Sequence, residues 1–188
     1  MKRFLCLGAL SLLFCVAVSA QQKAPQQPPT LQKVMDNALK NVEGEFVSAA
    51  EAMPEDKYNY APTQGEFQGV RTFALQVRHV ATTNYMIGAA MLGEKAPVDI
   101  SNENGSGSIT GKDAIVKYLK DSFAYMHKAE ASLNEKNATE WIQSPFGSGK
   151  TTRLSMATLV FGHCFDHYGQ MVEYLRSNGI IPPASRPR

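Results

Sequence analysis

The stretch FGHCFDHYGQM, residues 161–171, places two of the chain's four histidines, His163 and His167, four positions apart. Residues four apart lie one above the other on a helix, so both imidazoles point the same way. Val160 and Tyr174 follow the same helical spacing, which predicts that this face is buried in a core. Burying two imidazoles without hydrogen-bond partners costs several kcal/mol. The pair therefore predicts either a metal site or a hydrogen-bonded polar cluster inside the fold.

This stretch lies in the last of four segments that show the helical spacing of apolar residues. The segments are Leu31–Met53, about 69–92, one that follows the Gly- and Ser-rich sequence SNENGSGSIT at 101–110, and Thr152 to about Ser177. Thr110, with Asp113 three positions later, is close to a capping box and predicts the start of the third helix. Only a short, ambiguous piece near Trp141 alternates with the period of a strand. Four helices of these lengths predict an all-α, up-down-type four-helix bundle.

A third histidine, His79, lies in the second segment and shares a helical face with Leu75 and Met86. It too is expected to point inward. Three inward histidines from two helices can supply the three protein ligands of a zinc-type site and leave one position open for water or substrate. The fourth histidine, His127, lies one turn beyond Phe123 at the edge of an apolar face, and we interpret it as a surface residue or as one that contacts a ligand without binding the metal.

The sequence HCFDH at 163–167 fits the pattern of inverted zinc proteases, except that the acid is Asp166 and not Glu. Those enzymes take a further acidic ligand well downstream, and here Glu173 is the sole carboxylate after His167. A protease is therefore a minor alternative, and the spacing leaves open whether Asp166 or Glu173 accepts a proton in any reaction. Cys164 is rotated about 100° from its histidine neighbour and is interpreted as a packing residue.

The sequence GSGKTT at 147–152 looks like the end of a phosphate-binding loop. That motif requires a glycine at position 144, where the chain has Ser144. We therefore predict an exposed loop without nucleotide affinity, in which Thr151 or Thr152 caps the fourth helix.

Residues 1–20 have the basic start, the apolar run and the small-residue end of a secretory signal, and the run is shorter than the roughly 20 residues of a membrane helix. We therefore predict cleavage, a secreted or periplasmic protein and no stable membrane anchor. Cys15 lacks the small residues that precede a lipoprotein cysteine, so lipid anchoring at Cys15 is the lesser interpretation. The formal charge of +2 belongs to the two basic residues of this segment, so the mature chain is neutral and nothing suggests nucleic acid. A Gln- and Pro-rich leader at 21–30 would precede one domain at 31–188.

Three longer stretches resemble the DinB-like (damage-inducible) four-helix-bundle metal-binding family. They are AEAMPEDKYNYAPTQGEF at 50–67, RTFALQVRHVATTNYM at 71–86 and FGHCFDHYGQMVEYLRSNGIIPPASR at 161–186. Members have one histidine on the second helix and a His-x3-His pair on the fourth, followed by Gly-Gln and a run like YLR-x-x-G. The resemblance implies that the ligands are His79, His163 and His167, with Gly169 and Gln170 as the local signature.

The same resemblance implies a divalent metal, commonly Zn or Ni, and in some members a homodimer. Characterised relatives include thiol-dependent transferases and isomerases, whereas small thiols are largely intracellular and this chain carries an export signal. We expect an exported metal-binding protein, with a metal-dependent hydrolase or transferase acting on an unknown small molecule as one interpretation. A non-catalytic, metal-stabilised small-molecule-binding or structural bundle is the alternative, and a metal-free hydrogen-bonded core is the third. No catalytic residue is identified.

Overall fold

The computed structural model describes residues 27–63 and 69–187, and the predicted signal sequence lies outside them. Within these residues the fold is all-α, as predicted, with a small two-stranded sheet and two short 3-10 turns. The elements in chain order are α1 (Leu31–Ala52), a turn at Glu55–Lys57, α2 (Phe73–Leu92), α3 (Lys112–Ala131), β1 (Trp141–Gln143), β2 (Lys150–Thr152), α4 (Arg153–Ser177) and a turn at Pro183–Ser185. No helix in the described part of the chain combines the length and apolar character needed to cross a membrane.

Three of the four helices begin at a threonine whose side chain accepts a hydrogen bond from the first turn. Thr30 caps α1, Thr72 caps α2 and Thr152 caps α4. A threonine hydroxyl at this position satisfies one of the backbone N–H groups that a helix leaves unpaired. The predicted cap at Thr152 is thereby confirmed, whereas α2 begins four residues later than the predicted start near residue 69.

The start of α3 differs from the prediction, because Thr110 is not its cap. The residue before α3 is Gly111, which has a φ of 79° and makes no side-chain capping bond. The first N–H group, that of Lys112, donates instead to the Glu55 carboxylate at 2.8 Å. An acidic side chain from the turn after α1 thus stabilises the positive end of α3.

The helices are arranged so that α2 packs against both α3 and α4, and α1 packs against the same two helices. Consequently α1 and α2 lie diagonally across the bundle. The core between them contains fully buried aromatic and aliphatic side chains, among them Phe46 of α1 and Phe123 of α3, whose ring centroids lie 6.4 Å apart. Burying a side chain of this size stabilises a fold by about 1.5–3 kcal/mol.

Helix α2 is the most deeply buried helix, and it buries polar as well as apolar side chains. The buried polar set on α2 is Gln76, His79, Thr82, Thr83 and Asn84. At Gly88 the helix approaches α3 so closely that an added Cβ would lie 2.8 Å from the Tyr125 ring. The absence of a side chain at this position lets α2 sit against α3 while its opposite face meets α4.

The ambiguous piece near Trp141 is a β-strand. It pairs antiparallel with Lys150–Thr152, with Ile142 opposite Thr151. The prediction of an exposed loop therefore holds for residues 147–149, whereas Lys150–Thr152 form the second strand of the hairpin and lead directly into α4.

Candidate metal centre

The three predicted ligands lie together between α2 and α4. Their ligand nitrogens all lie within 4.8 Å of one another, and the Nε2 atoms of His79 and His163 are 3.1 Å apart. In a tetrahedral site with metal–nitrogen bonds of about 2.0–2.1 Å, neighbouring ligand nitrogens lie about 3.3 Å apart. The spacing of His79 and His163 is therefore close to that of two ligands on one ion, and His167 completes the cluster.

His79 is oriented by a loop between α2 and α3. Its Nδ1 lies 2.8 Å from the backbone carbonyl oxygen of Glu103. Because a carbonyl can only accept, Nδ1 carries the proton and Nε2 keeps a lone pair. That lone pair faces the cluster, which is the orientation that a metal ligand requires.

His167 is oriented by a glutamine of α2 that the sequence reasoning did not single out. Its Nδ1 is hydrogen-bonded to Oε1 of Gln76, whose side chain is 1% exposed. Gln76 in turn donates through Nε2 to Oε1 of Gln170 at 2.7 Å. Gln76 precedes His79 by three positions, so the helical spacing could have revealed it as a neighbour of the site.

His163 is held less tightly than the other two. Its Nε2 faces His79, while its Nδ1 is buried and has no hydrogen-bond partner among the described residues. In a metal-free cluster a single hydrogen bond, between His79 and His163, would join the rings, and Nε2 of His167 would remain without one in the described part of the chain. Because the three imidazoles pair so few of one another's hydrogen-bonding nitrogens, the cluster suits a divalent ion better than it suits a self-contained polar core.

Burial keeps the three imidazoles neutral at neutral pH. It lowers the pKa of His163 to about 3, with the neighbouring His167 and His79 adding to the effect. It also lowers the pKa of His167 to about 4, assisted by His79 and the positive charge of Arg71. The pKa of His79 is lowered as well, mainly by burial. Neutral imidazoles offer lone pairs to a metal without first losing a proton.

The model of the DinB superfamily matches residues 38–171, well over half of the chain. This chain belongs to the DinB superfamily. The match includes all three histidines of the cluster and the Gly169–Gln170 pair. No curated protein matches the chain significantly.

Solved structures show the same fold as this DinB-superfamily chain. A DinB-like protein from Bacillus cereus has a TM-score of 0.65 at 15% identity, covering 82% of this chain and 96% of its own. A DinB-like protein from Bacillus subtilis has a TM-score of 0.61 at 19% identity, covering 82% of this chain and 99% of its own. A conserved protein from Enterococcus faecalis has a TM-score of 0.63 at 14% identity, covering 79% and 97%. At these identities the likeness concerns the fold.

The two candidate proton acceptors of the DinB-superfamily chain do not lie among the ligand atoms. Asp166 is exposed and accepts a hydrogen bond of 3.3 Å from Gln170. Glu173 is exposed and pairs with Arg176 at 2.8 Å. Cys164 is fully buried, and burial raises the pKa of its thiol to about 12, so it packs in the core of the DinB bundle as expected.

His127 lies in a different part of the DinB bundle, between α1 and α3. Its Nδ1 lies 2.9 Å from Asp36 and its Nε2 lies 2.9 Å from Glu43, both on α1. It is half-buried and bridges two carboxylates, so it is neither a plain surface residue nor a neighbour of the histidine cluster.

One turn further along α3, Glu130 is fully buried, and neither of its carboxyl oxygens has a partner among the described residues. Burial, with a smaller contribution from the charge of Asp36, raises the pKa of Glu130 to about 8. The carboxyl is therefore mostly protonated at neutral pH. The sequence does not single out this residue, since a glutamate near a helix end is typically exposed.

Proposed function

We propose that this protein binds one divalent metal ion through the Nε2 atoms of His79, His163 and His167. The supporting observation is that Nδ1 of His79 and Nδ1 of His167 each face a hydrogen-bond acceptor, from Glu103 and Gln76 respectively. The Nε2 lone pairs of both rings are therefore left facing the same cluster. Three neutral nitrogen donors suit zinc or nickel. Three protein ligands leave at least one coordination position for water or a small molecule.

The reaction class that fits such a site is a metal-dependent hydrolysis or group transfer on a small molecule. A bound ion of this kind would supply Lewis acidity and lower the pKa of a coordinated water to about 7. The chain itself contributes three neutral imidazoles, and Glu103 and Gln76 fix the ring orientations of two of them, His79 and His167.

Among residues 27–63 and 69–187 no carboxylate joins the histidine cluster, and this observation favours a second candidate function. Asp166 and Glu173 are engaged with Gln170 and Arg176, so neither is placed to accept a proton at the open position. A non-catalytic bundle that binds a small molecule on its metal requires no such acceptor. Activity measurements on the metal-loaded protein distinguish the two candidates.

We propose further that the protein acts after export, because residues 1–20 have the organisation of a cleaved secretory signal. Small thiols are largely intracellular, so an exported protein is less suited to the thiol transfer known in relatives. Mass determination of the mature N-terminus, on protein taken from the native cell envelope, tests the cleavage. Oligomeric state is tested on the same sample, and a homodimer remains a prediction from the resemblance.

Replacing His163 by Ala tests the metal site. Elemental analysis should find about one divalent ion per chain in the natural protein and none in His163→Ala. The matched control is His127→Gln, which alters a histidine outside the cluster and should keep the ion. Metal retained by His163→Ala would contradict the assignment.

Circular dichroism of His163→Ala distinguishes a functional site from a structural staple. The fold should remain helical and melt cooperatively, because the core of four helices supplies the stability of a domain of this size. Some decrease in melting temperature is expected, since a ligand that binds only the folded state stabilises it by mass action. An unfolded variant would mean that the ion holds the fold together, and hydrolase or transferase chemistry would be dropped.

A further inference from the structure

A continuous series of hydrogen bonds joins a surface carboxylate to one of the buried histidines. Asp166 Oδ2 accepts from Nε2 of Gln170 at 3.3 Å, and Oε1 of Gln170 accepts from Nε2 of Gln76 at 2.7 Å. Oε1 of Gln76 is bonded to Nδ1 of His167. Three of the four residues lie on α4, and Gln76 reaches across from α2.

The direction of every bond in this series follows from its first member. An ionised carboxylate can only accept, so Gln170 must turn its amide nitrogen towards Asp166 and its oxygen towards Gln76. Gln76 must then present its nitrogen to Gln170 and its oxygen to His167. An amide oxygen can only accept, so His167 has to carry its proton on Nδ1 and keep the Nε2 lone pair.

We propose that Asp166 is a positioning residue that sets the tautomer of His167 through Gln170 and Gln76. This role rests on the proposed metal site and replaces proton acceptance as the role of Asp166. It also gives a physical reason for the glutamine of the Gly169–Gln170 pair: the helical spacing of four places Gln170 over Asp166, and its other end reaches Gln76.

Without the carboxylate the order of donors and acceptors is lost. An Asn at 166 can donate as well as accept, so both amides can rotate and Gln76 can present its nitrogen to His167. The ring would then carry its proton on Nε2, the atom that faces the cluster. Disturbing the hydrogen bond that a ligating histidine makes through its second ring nitrogen typically lowers metal affinity by about 10- to 100-fold.

The test compares Asp166→Asn with Glu173→Gln, which removes the charge of another exposed carboxylate on the same helix but lies outside the series. In the metal-free protein, ¹⁵N NMR of labelled histidine should show Nδ1–H for His167 in the natural chain and the control, and a mixture of tautomers in Asp166→Asn. Zinc affinity, measured by competition with a chelator, should fall at least about tenfold only in Asp166→Asn.

A second variant separates the tautomer from other effects of the substitution. Adding Gln76→Glu to Asp166→Asn places an accept-only carboxylate against Nδ1 of His167, and it should restore both the tautomer and the zinc affinity. An unchanged tautomer in Asp166→Asn, or a changed one with unchanged zinc affinity, would overturn the proposal. If the natural protein binds no zinc but the tautomer still depends on Asp166, the proposed function fails and the hydrogen-bond relay stands.

Discussion

Replacing Glu130 by Gln should remove a large part of the pH dependence of the protein's stability. Burial without a hydrogen-bond partner raises the pKa of this carboxyl from 4.5 to about 8, assisted by the charge of Asp36. The folded state therefore binds the proton more tightly than the unfolded chain. Stability from this group is fully present below about pH 4.5 and is lost as pH rises towards about 8. At about 1.4 kcal/mol per pKa unit, the loss between about pH 5 and pH 8 is about 3 kcal/mol.

The assay is urea denaturation followed by circular dichroism at both pH values, with a chelator present to exclude metal binding. The buried histidines have lowered pKa values and make the metal-free fold less stable as pH falls below about 6.5, but this contribution is common to both proteins and cancels in the difference. The natural protein should lose about 3 kcal/mol more than Glu130→Gln on going to the higher pH. Glu173→Gln should follow the natural protein, because an exposed ion pair contributes little. Equal pH dependence in Glu130→Gln and the natural protein would refute the argument that Glu130 is buried as a neutral acid.

Two further predictions concern the hairpin and the helix contacts. Calorimetric titration with ATP and Mg²⁺ should show no binding, because Ser144 occupies the position where a phosphate-binding loop requires glycine; affinity that disappears in Lys150→Ala would contradict this. Gly88→Ala should lower the unfolding free energy by about 1–3 kcal/mol, since its Cβ would lie 2.8 Å from Tyr125. Gly44→Ala, at an exposed α1 position with open space, should raise it by about 0.5–1 kcal/mol. Thermal denaturation of the two glycine variants measures both changes, and shifts of the same sign would show that the contact at position 88 is looser than described.

The helices could be predicted from the sequence because their apolar spacing and three of their caps are local properties. The start of α3 could not, since the group that binds its first N–H is Glu55, 57 positions earlier in the chain. Capping by a distant side chain leaves no pattern near the helix start. The cap at Thr110 is predicted from neighbouring residues alone, whereas tertiary contacts determine where α3 begins.

The three histidines could be predicted as neighbours because two share a helical face and the third points inward from another helix. The atoms that orient them were harder to foresee. A backbone carbonyl, that of Glu103, carries no side-chain signal in the sequence. The helical spacing of Gln76 and His79 indicates that the two are neighbours. The contact of Gln76 with His167, however, becomes apparent only when α2 and α4 pack together.

The separation of the three histidines along the chain limits when the proposed metal site can form. His79 and His163 are 84 positions apart, and their nitrogens meet only after α2 and α4 have docked. A nascent or partly folded chain offers just the pair on α4, which cannot hold an ion with the affinity of three fixed ligands. At the proposed metal site, loading would therefore follow folding, and the ion would come from the pool in the compartment where folding is completed.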